Sequence, residues 1–356
     1  MMVPVGRLLL LRSVPRHELV TAMARMMMPA FVGPALGPLV GGFLSTYANW
    51  RWIFFINIPV GVIGVILALR LIPPDNTKGV VPVRFDLPGF LLAGTALGTT
   101  VFALEGLGKA GTSAWFPIAL LCVGVTAGTL YMVRFRKVER PILDPRVFRH
   151  PSFLAGIGGG TMFRIGVSAI PFLMPMLLQI GFGFSAFASG SITFANAIGS
   201  IISKPVAIRL LRYFSYRRLL VAITGISGST LALFLLFRPS TPPLLIFFVL
   251  LVGSVARSLQ ITFSNAVAYA DVPDADTAQA NAIANVMQQL AASLAIALAA
   301  TLLHVGQTLH GDATLSWRDF SFPFAMLSLL GFGSIVFYWW LPASTGEDMR
   351  SGPVEA

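Results

Sequence analysis

Between residues 20 and 341 the chain is a succession of apolar stretches, most of them long enough to cross a bilayer as a helix. A spanning helix needs roughly 20 consecutive apolar residues. Inside lipid every backbone polar group must find its partner within the protein, so only helices and closed barrels are open to such a chain. Barrel strands would alternate apolar and polar side chains over about 10 residues, and these stretches do not. Hydrophobic residues make up 56% of the chain and charged residues 11%, against about 25% charged in an ordinary soluble domain. The pattern predicts an all-α polytopic membrane protein. Ten full spans are expected, at 20–44, 50–72, 87–106, 115–133, 152–179, 186–208, 217–237, 243–270, 277–303 and 320–341.

The net charge of +11 does not read as nucleic-acid binding, because the basic residues gather in short loops between spans. One alternate set of loops holds 16 of the 25 basic residues, among them Arg134, Arg136, Lys137, Arg146, Arg149, Arg209, Arg212, Arg217 and Arg218. The other set holds only Arg51, Lys109, Arg238 and Arg318. Positive loops stay on the cytoplasmic side. The expected arrangement is a multi-pass protein of a bacterial-type inner membrane with a cytoplasmic C-terminus. Cys122 is the one cysteine, so no internal disulfide is possible.

The opening "MMVPVGRLLLLRSVPRHELV" has an apolar run too short to span the membrane, followed by a basic turn. It aligns with a later part of the same chain. Val14-Pro15 falls on Val272-Pro273, and Trp50-Arg51 on Trp317-Arg318. Each Val-Pro pair lies between one predicted helix and the next. A duplicated unit is the pattern of transporters built from two similar halves. In this register the opening run is the back half of a helix, so the expectation is a partial helix before the ten spans.

"GPALGPLVGG" followed by "WRWIFFINIPVG" resembles the major facilitator superfamily, in particular its fourteen-span drug/proton antiporter branch. The segments "MMVPVGRL", "FRIGVSAIPFLMPMLLQIGFGFSAF" and "FSYRRLLVA" draw it toward multidrug-resistance transporters of that branch, over essentially the whole chain. The resemblance implies two six-helix bundles with two extra helices between them, here 87–106 and 115–133. It also implies that upstream spans carrying further family motifs are missing from this chain. The implied organisation is a remnant of the N-terminal bundle at 1–72 and two linking spans with a central cytoplasmic loop at 73–150. A C-terminal six-helix bundle at 151–345 and a cytoplasmic tail at 346–356 follow. The implied function is secondary active transport, proton-coupled export of drugs or other small amphipathic molecules. The partners are the small-molecule substrate, protons and the lipid bilayer, with no nucleic acid. The alternative is a non-transporting truncated fragment of such an exporter, or a membrane assembly subunit.

Several residues are candidates for function. Gly33, Pro34, Gly37, Pro38, Gly41 and Gly42 repeat at a spacing of four, which stacks small residues along one helix face and lets another helix come close. In the resembling antiporters this motif is tied to exchange; generic close packing is the plain alternative. Arg164 lies well inside an apolar span, where a charge costs several kcal/mol unless it meets water, a partner or a carbonyl. Arg257 is similarly placed, with Gln260 and Asn265 on the same helix. With Asn196 and Gln288 these form a candidate polar cavity for a substrate or coupling ion, unless the arginines snorkel to a helix end. Glu105 is a possible proton relay, or an interfacial acid. No nucleotide-binding glycine loop, nucleophile–base pair or metal-ligand cluster is present. No enzyme activity, cofactor or metal is expected.

Overall fold

The computed structural model describes residues 51–71, 86–107, 115–138, 141–273, 276–310 and 314–342, with a few isolated positions. The antiporter motif at Gly33–Gly42, the first expected span and the C-terminal tail lie outside the described residues. Among the described residues there is no strand, and eight helices are long and apolar enough to cross a membrane.

Two compact units are present, one of Met27–Phe85 and one of Met1–Met26 with Asp86–Ala356. The first contains a single turn, Trp52–Phe55, and α1, Asn57–Leu71. Its residues from Ile58 to Leu69 present an almost unbroken apolar surface.

The second unit holds the eight spans. They are α2, Leu87–Leu107; α3, Trp115–Phe135; α4, Pro151–Gly181; α5, Phe187–Tyr213; α6, Tyr216–Leu236; α7, Pro243–Val267; α8, Thr277–His310; and α9, Trp317–Trp339. α2 and α3 pair along their length, because small residues permit it. A Cβ on Gly124 would lie 2.5 Å from Thr100 Oγ1 and 3.2 Å from the Ala96 carbonyl. The pair is fixed at one end by Asp86, which caps α2 through the Gly89 N–H at 3.1 Å and receives Arg134 Nη2 at 2.8 Å. α2 also packs on α8.

The bundle reverses the soluble pattern. On α7, Leu244, Leu245, Phe248 and Val252 face outward, while Gly253, Ser254, Arg257 and Gln260 face inward. Lipid covers the outer row, and small or polar residues meet their neighbours inside, as in membrane helix packing. Gly156 and Gly159 pack against Ala268 and Phe337 at distances no side chain would allow.

α4 departs from the single regular helix that the apolar run suggests. π turns occupy Leu154–Gly159 and Leu177–Gly181, and the helix breaks between Val167 and Ile170. Pro171 and Pro175 lack the N–H that an unbroken α-helix would use, so the register slips around them. Gly183, with φ +73°, then turns the chain into α5, a left-handed position that suits glycine at a helix end. α8 runs to His310, seven residues beyond the expected 303. Its last turn is held by a side-chain contact that apolar periodicity does not register.

Contacts across the turns group the helix ends. Arg217 stacks over the Trp339 ring at 5.5 Å, and Gln279 donates to the Pro141 carbonyl at 2.8 Å. At the other end Arg238 stacks over Trp317 at 5.1 Å, and His310 meets Asp319.

Candidate functional site

α7 organises the polar interior. Its residues Ser254, Ser258 and Thr262 repeat every four positions and so share a face. α5 answers with Asn196, Ser203 and Lys204. Ser254 Oγ donates to the Asn196 carbonyl at 2.7 Å, and Ser203 Oγ donates to Ser258 Oγ at 2.7 Å. Lys204 Nζ donates to Thr262 Oγ1 at 3.2 Å. Gly199 makes this seam possible, since a Cβ there would sit 2.6 Å from that of Ser254.

Arg257 points from α7 into the bundle and is 8% exposed. Its Nη2 donates to Asn196 Oδ1 at 2.7 Å. Its Nη1 lies toward Gly253 and has no hydrogen-bond partner among the described residues. It therefore does not snorkel. On the other flank of α7, Asn265 Oδ1 accepts from Arg164 Nη2 of α4 at 3.2 Å and from Gln288 Nε2 of α8 at 3.5 Å. Gln260 is wholly buried, and neither of its amide atoms has a partner among the described residues. Tyr338 is wholly buried as well and stands beside Ser264 and Gln260.

The structure thus gathers the candidate cavity residues into two groups. One is Arg257 with Asn196; the other is Arg164 with Asn265 and Gln288. Eight residues of α7 separate the two groups, about 12 Å at helical rise. The side chain of Glu105 lies outside the described residues. Sequence reasoning passed over Lys204, which is 4% exposed. Its signal was present: Asn196, Ser200, Ser203 and Lys204 fall at i, i+4, i+7 and i+8, one helical face. No group of three or more metal-ligating side chains occurs among the described residues.

Such an arrangement offers hydrogen-bond donors and fixed positive charge inside an apolar bundle. It can hold a solute. The family model described as Major Facilitator Superfamily matches residues 1–296 and again 156–356. Proteins provisionally named multidrug resistance protein MdtD, from Escherichia coli O157:H7 and Escherichia fergusonii, are each 36% identical over 330 residues. The match covers 92% of this chain and 69% of each relative. A Shigella flexneri protein of the same name matches to the same extent. The chain belongs to the major facilitator superfamily and is a multi-pass membrane transporter of small molecules.

Proposed function

We propose that the chain exports drugs or other small amphipathic molecules across a bacterial inner membrane, in exchange for protons. The observation that carries this reading is the set of cations hydrogen-bonded around α7, buried Arg257 on it with buried Lys204 of α5 and half-buried Arg164 of α4, within helices whose outer faces are apolar. Buried ionisable groups inside a membrane bundle mark solute and ion pathways. The relatives' name supports drugs as cargo. In this reading Arg164, Asn196, Arg257, Gln260, Asn265 and Gln288 line the substrate or ion cavity. The Gly33–Gly42 motif forms the close contact required for exchange, and Glu105 is a candidate proton relay. Residues 1–72 belong to the N-terminal bundle, 73–150 to the linking spans and central loop, and 151–345 to the C-terminal bundle. The basic loops and the C-terminus face the cytoplasm.

Everted vesicles test the reading with the neutral dye Nile red. Uptake is expected on energisation, and it should collapse when a protonophore dissipates the gradient. Uptake identical to that of vesicles lacking the protein would overturn it.

A further inference from the structure

One end of the bundle carries a dense basic patch. Arg209 and Arg212 lie in the last turns of α5, and Arg217 and Arg218 in the first turn of α6, four guanidiniums within ten residues. Arg209, Arg212 and Arg218 are exposed and Arg217 is partly so. Among the described residues none of the four makes an ion pair. Arg217 and Arg218 also stand at the positive end of the α6 dipole, where cations are disfavoured. The turn that presents them is held in place. Tyr216 is buried and meets the Phe263 ring of α7 edge-on, at 6.1 Å. Arg217 lies over the Trp339 ring of α9 at 5.5 Å. A guanidinium held by its face against a ring keeps its N–H edge for an anion.

Apolar surface adjoins the patch. Tyr213, Trp339 and Trp340 are exposed beside the arginines, as aromatic side chains are at the headgroup level of a bilayer. Ile226 lies two turns beyond Arg218 on the same face of α6, and Val336 one turn from Trp340 on α9; both are exposed. We propose that this end of α5, α6 and α9 seats an anionic phospholipid. The arginines take the phosphate oxygens in two-pronged hydrogen bonds. Trp339 and Trp340 lie beside the glycerol backbone, and the acyl chains run along Ile226 and Val336. A soluble anion would use the arginines and leave the apolar tract uncovered; a phospholipid covers both. A zwitterionic headgroup brings an ammonium that the four guanidiniums repel, so the seat selects a headgroup of net negative charge. The site depends on membrane embedding alone, whatever the chain transports.

Native mass spectrometry of the purified protein tests this. After incubation with equal amounts of dioleoyl phosphatidylglycerol and dioleoyl phosphatidylcholine, phosphatidylglycerol is expected to be retained in preference. Arg217→Gln/Arg218→Gln should weaken that preference roughly thirtyfold, at about 1 kcal/mol for each arginine. Arg238→Gln/Arg318→Gln removes the same charge at the opposite end and should leave the preference unchanged. Each variant is checked for a monodisperse size-exclusion profile. If the first does not fold, Arg209→Gln/Arg212→Gln takes its place, with the same loss expected. Equal retention of the two lipids, an undiminished preference in a folded patch variant, or an equal loss in the Arg238/Arg318 variant overturns the proposal. Displacement of phosphatidylglycerol by equimolar inorganic phosphate would make the patch a soluble-anion site and overturn it too. So would a preference absent from the wild type and present in Glu347→Gln/Asp348→Gln, which would give the seat to the chain's own acidic tail.

Discussion

His310 Nδ1 stands 3.0 Å from Asp319 Oδ1 and 2.9 Å from the Gly306 carbonyl, joining the end of α8 to the start of α9. Both partners are acceptors, so Nδ1 carries the proton. Asp319 is wholly buried, and its other oxygen accepts the Ser316 N–H at 2.8 Å. Asp319→Ala leaves those donors unmet and is expected to cost about 1–3 kcal/mol, read as a lower thermal midpoint in detergent. His310→Ala should cost less, because that side chain is 38% exposed and water can replace it.

Arg164→Ala is expected to abolish export while membrane abundance is kept. The arginine holds Asn265, which also receives Gln288, so its loss disturbs both side chains. Arg164→Lys should rescue only in part, since an ammonium cannot reproduce the planar guanidinium. Vesicle efflux at matched abundance checks both, and wild-type efflux by the alanine variant would show that Arg164 has no role in transport.

The loop around Arg134–His150 is expected in the cytoplasm and the segment from Gly306 to Asp319 in the periplasm, from the asymmetry of basic residues. Single cysteines in a Cys122-free background, challenged with an impermeant thiol reagent in intact cells, report the sides. Labelling of the first segment with protection of the second would reverse the orientation.

The Asp86–Arg134 pair predicts a pH dependence. The hydrogen-bonded Arg134 guanidinium holds the Asp86 carboxyl below its ordinary value of 3.8, against an opposing push from burial. A folded value below the unfolded one means that the carboxylate stabilises the α2–α3 junction fully above the unfolded value. That stability fades as pH falls through the lowered folded value. Between about pH 7 and pH 3 the wild-type thermal midpoint should fall more than that of Asp86→Asn. Asp86→Ala also loses the helix cap, typically about 1 kcal/mol. An Asn variant with the same pH slope as wild type would remove Asp86 from the account.

Gly199→Ala is expected to push α5 from α7, because its Cβ would meet Ser254 and the Leu251 carbonyl inside contact distance. Overpacking of this kind costs about 1–3 kcal/mol. The Asn196–Arg257 bond lies one turn away, so export should fall with stability. Gly225→Ala, where a Cβ meets nothing within 4 Å, is the control and should behave as wild type.

The spans were legible because apolar length is a one-dimensional property, and α4 to α9 fall where the runs predict them. Arg164 and Arg257 were legible for the same reason, as charges inside apolar runs. The breaks in α4 were carried by Pro171 and Pro175, yet which turns slip depends on what packs beside them. Lys204 was missed because a single lysine four residues before the expected end of its span at 208 looks like an interfacial residue until its helical face is drawn; the helix in fact runs on to Tyr213. The partnering of Asn265 with both Arg164 and Gln288 joins residues 101 and 23 positions away, and no local pattern encodes it.

The three cations gathered around α7, Arg257 on it, Lys204 on α5 and Arg164 on α4, lie within the membrane field. One elementary charge crossing the full membrane potential is worth about 2.3 kcal/mol per 100 mV. Three charges carried together through a tenth of that field change the energy by roughly 0.7 kcal/mol at 100 mV. With the cell interior negative, that energy draws these charges toward the cytoplasm. In a transporter that shifts these charges across part of the membrane, the resting potential biases the shift.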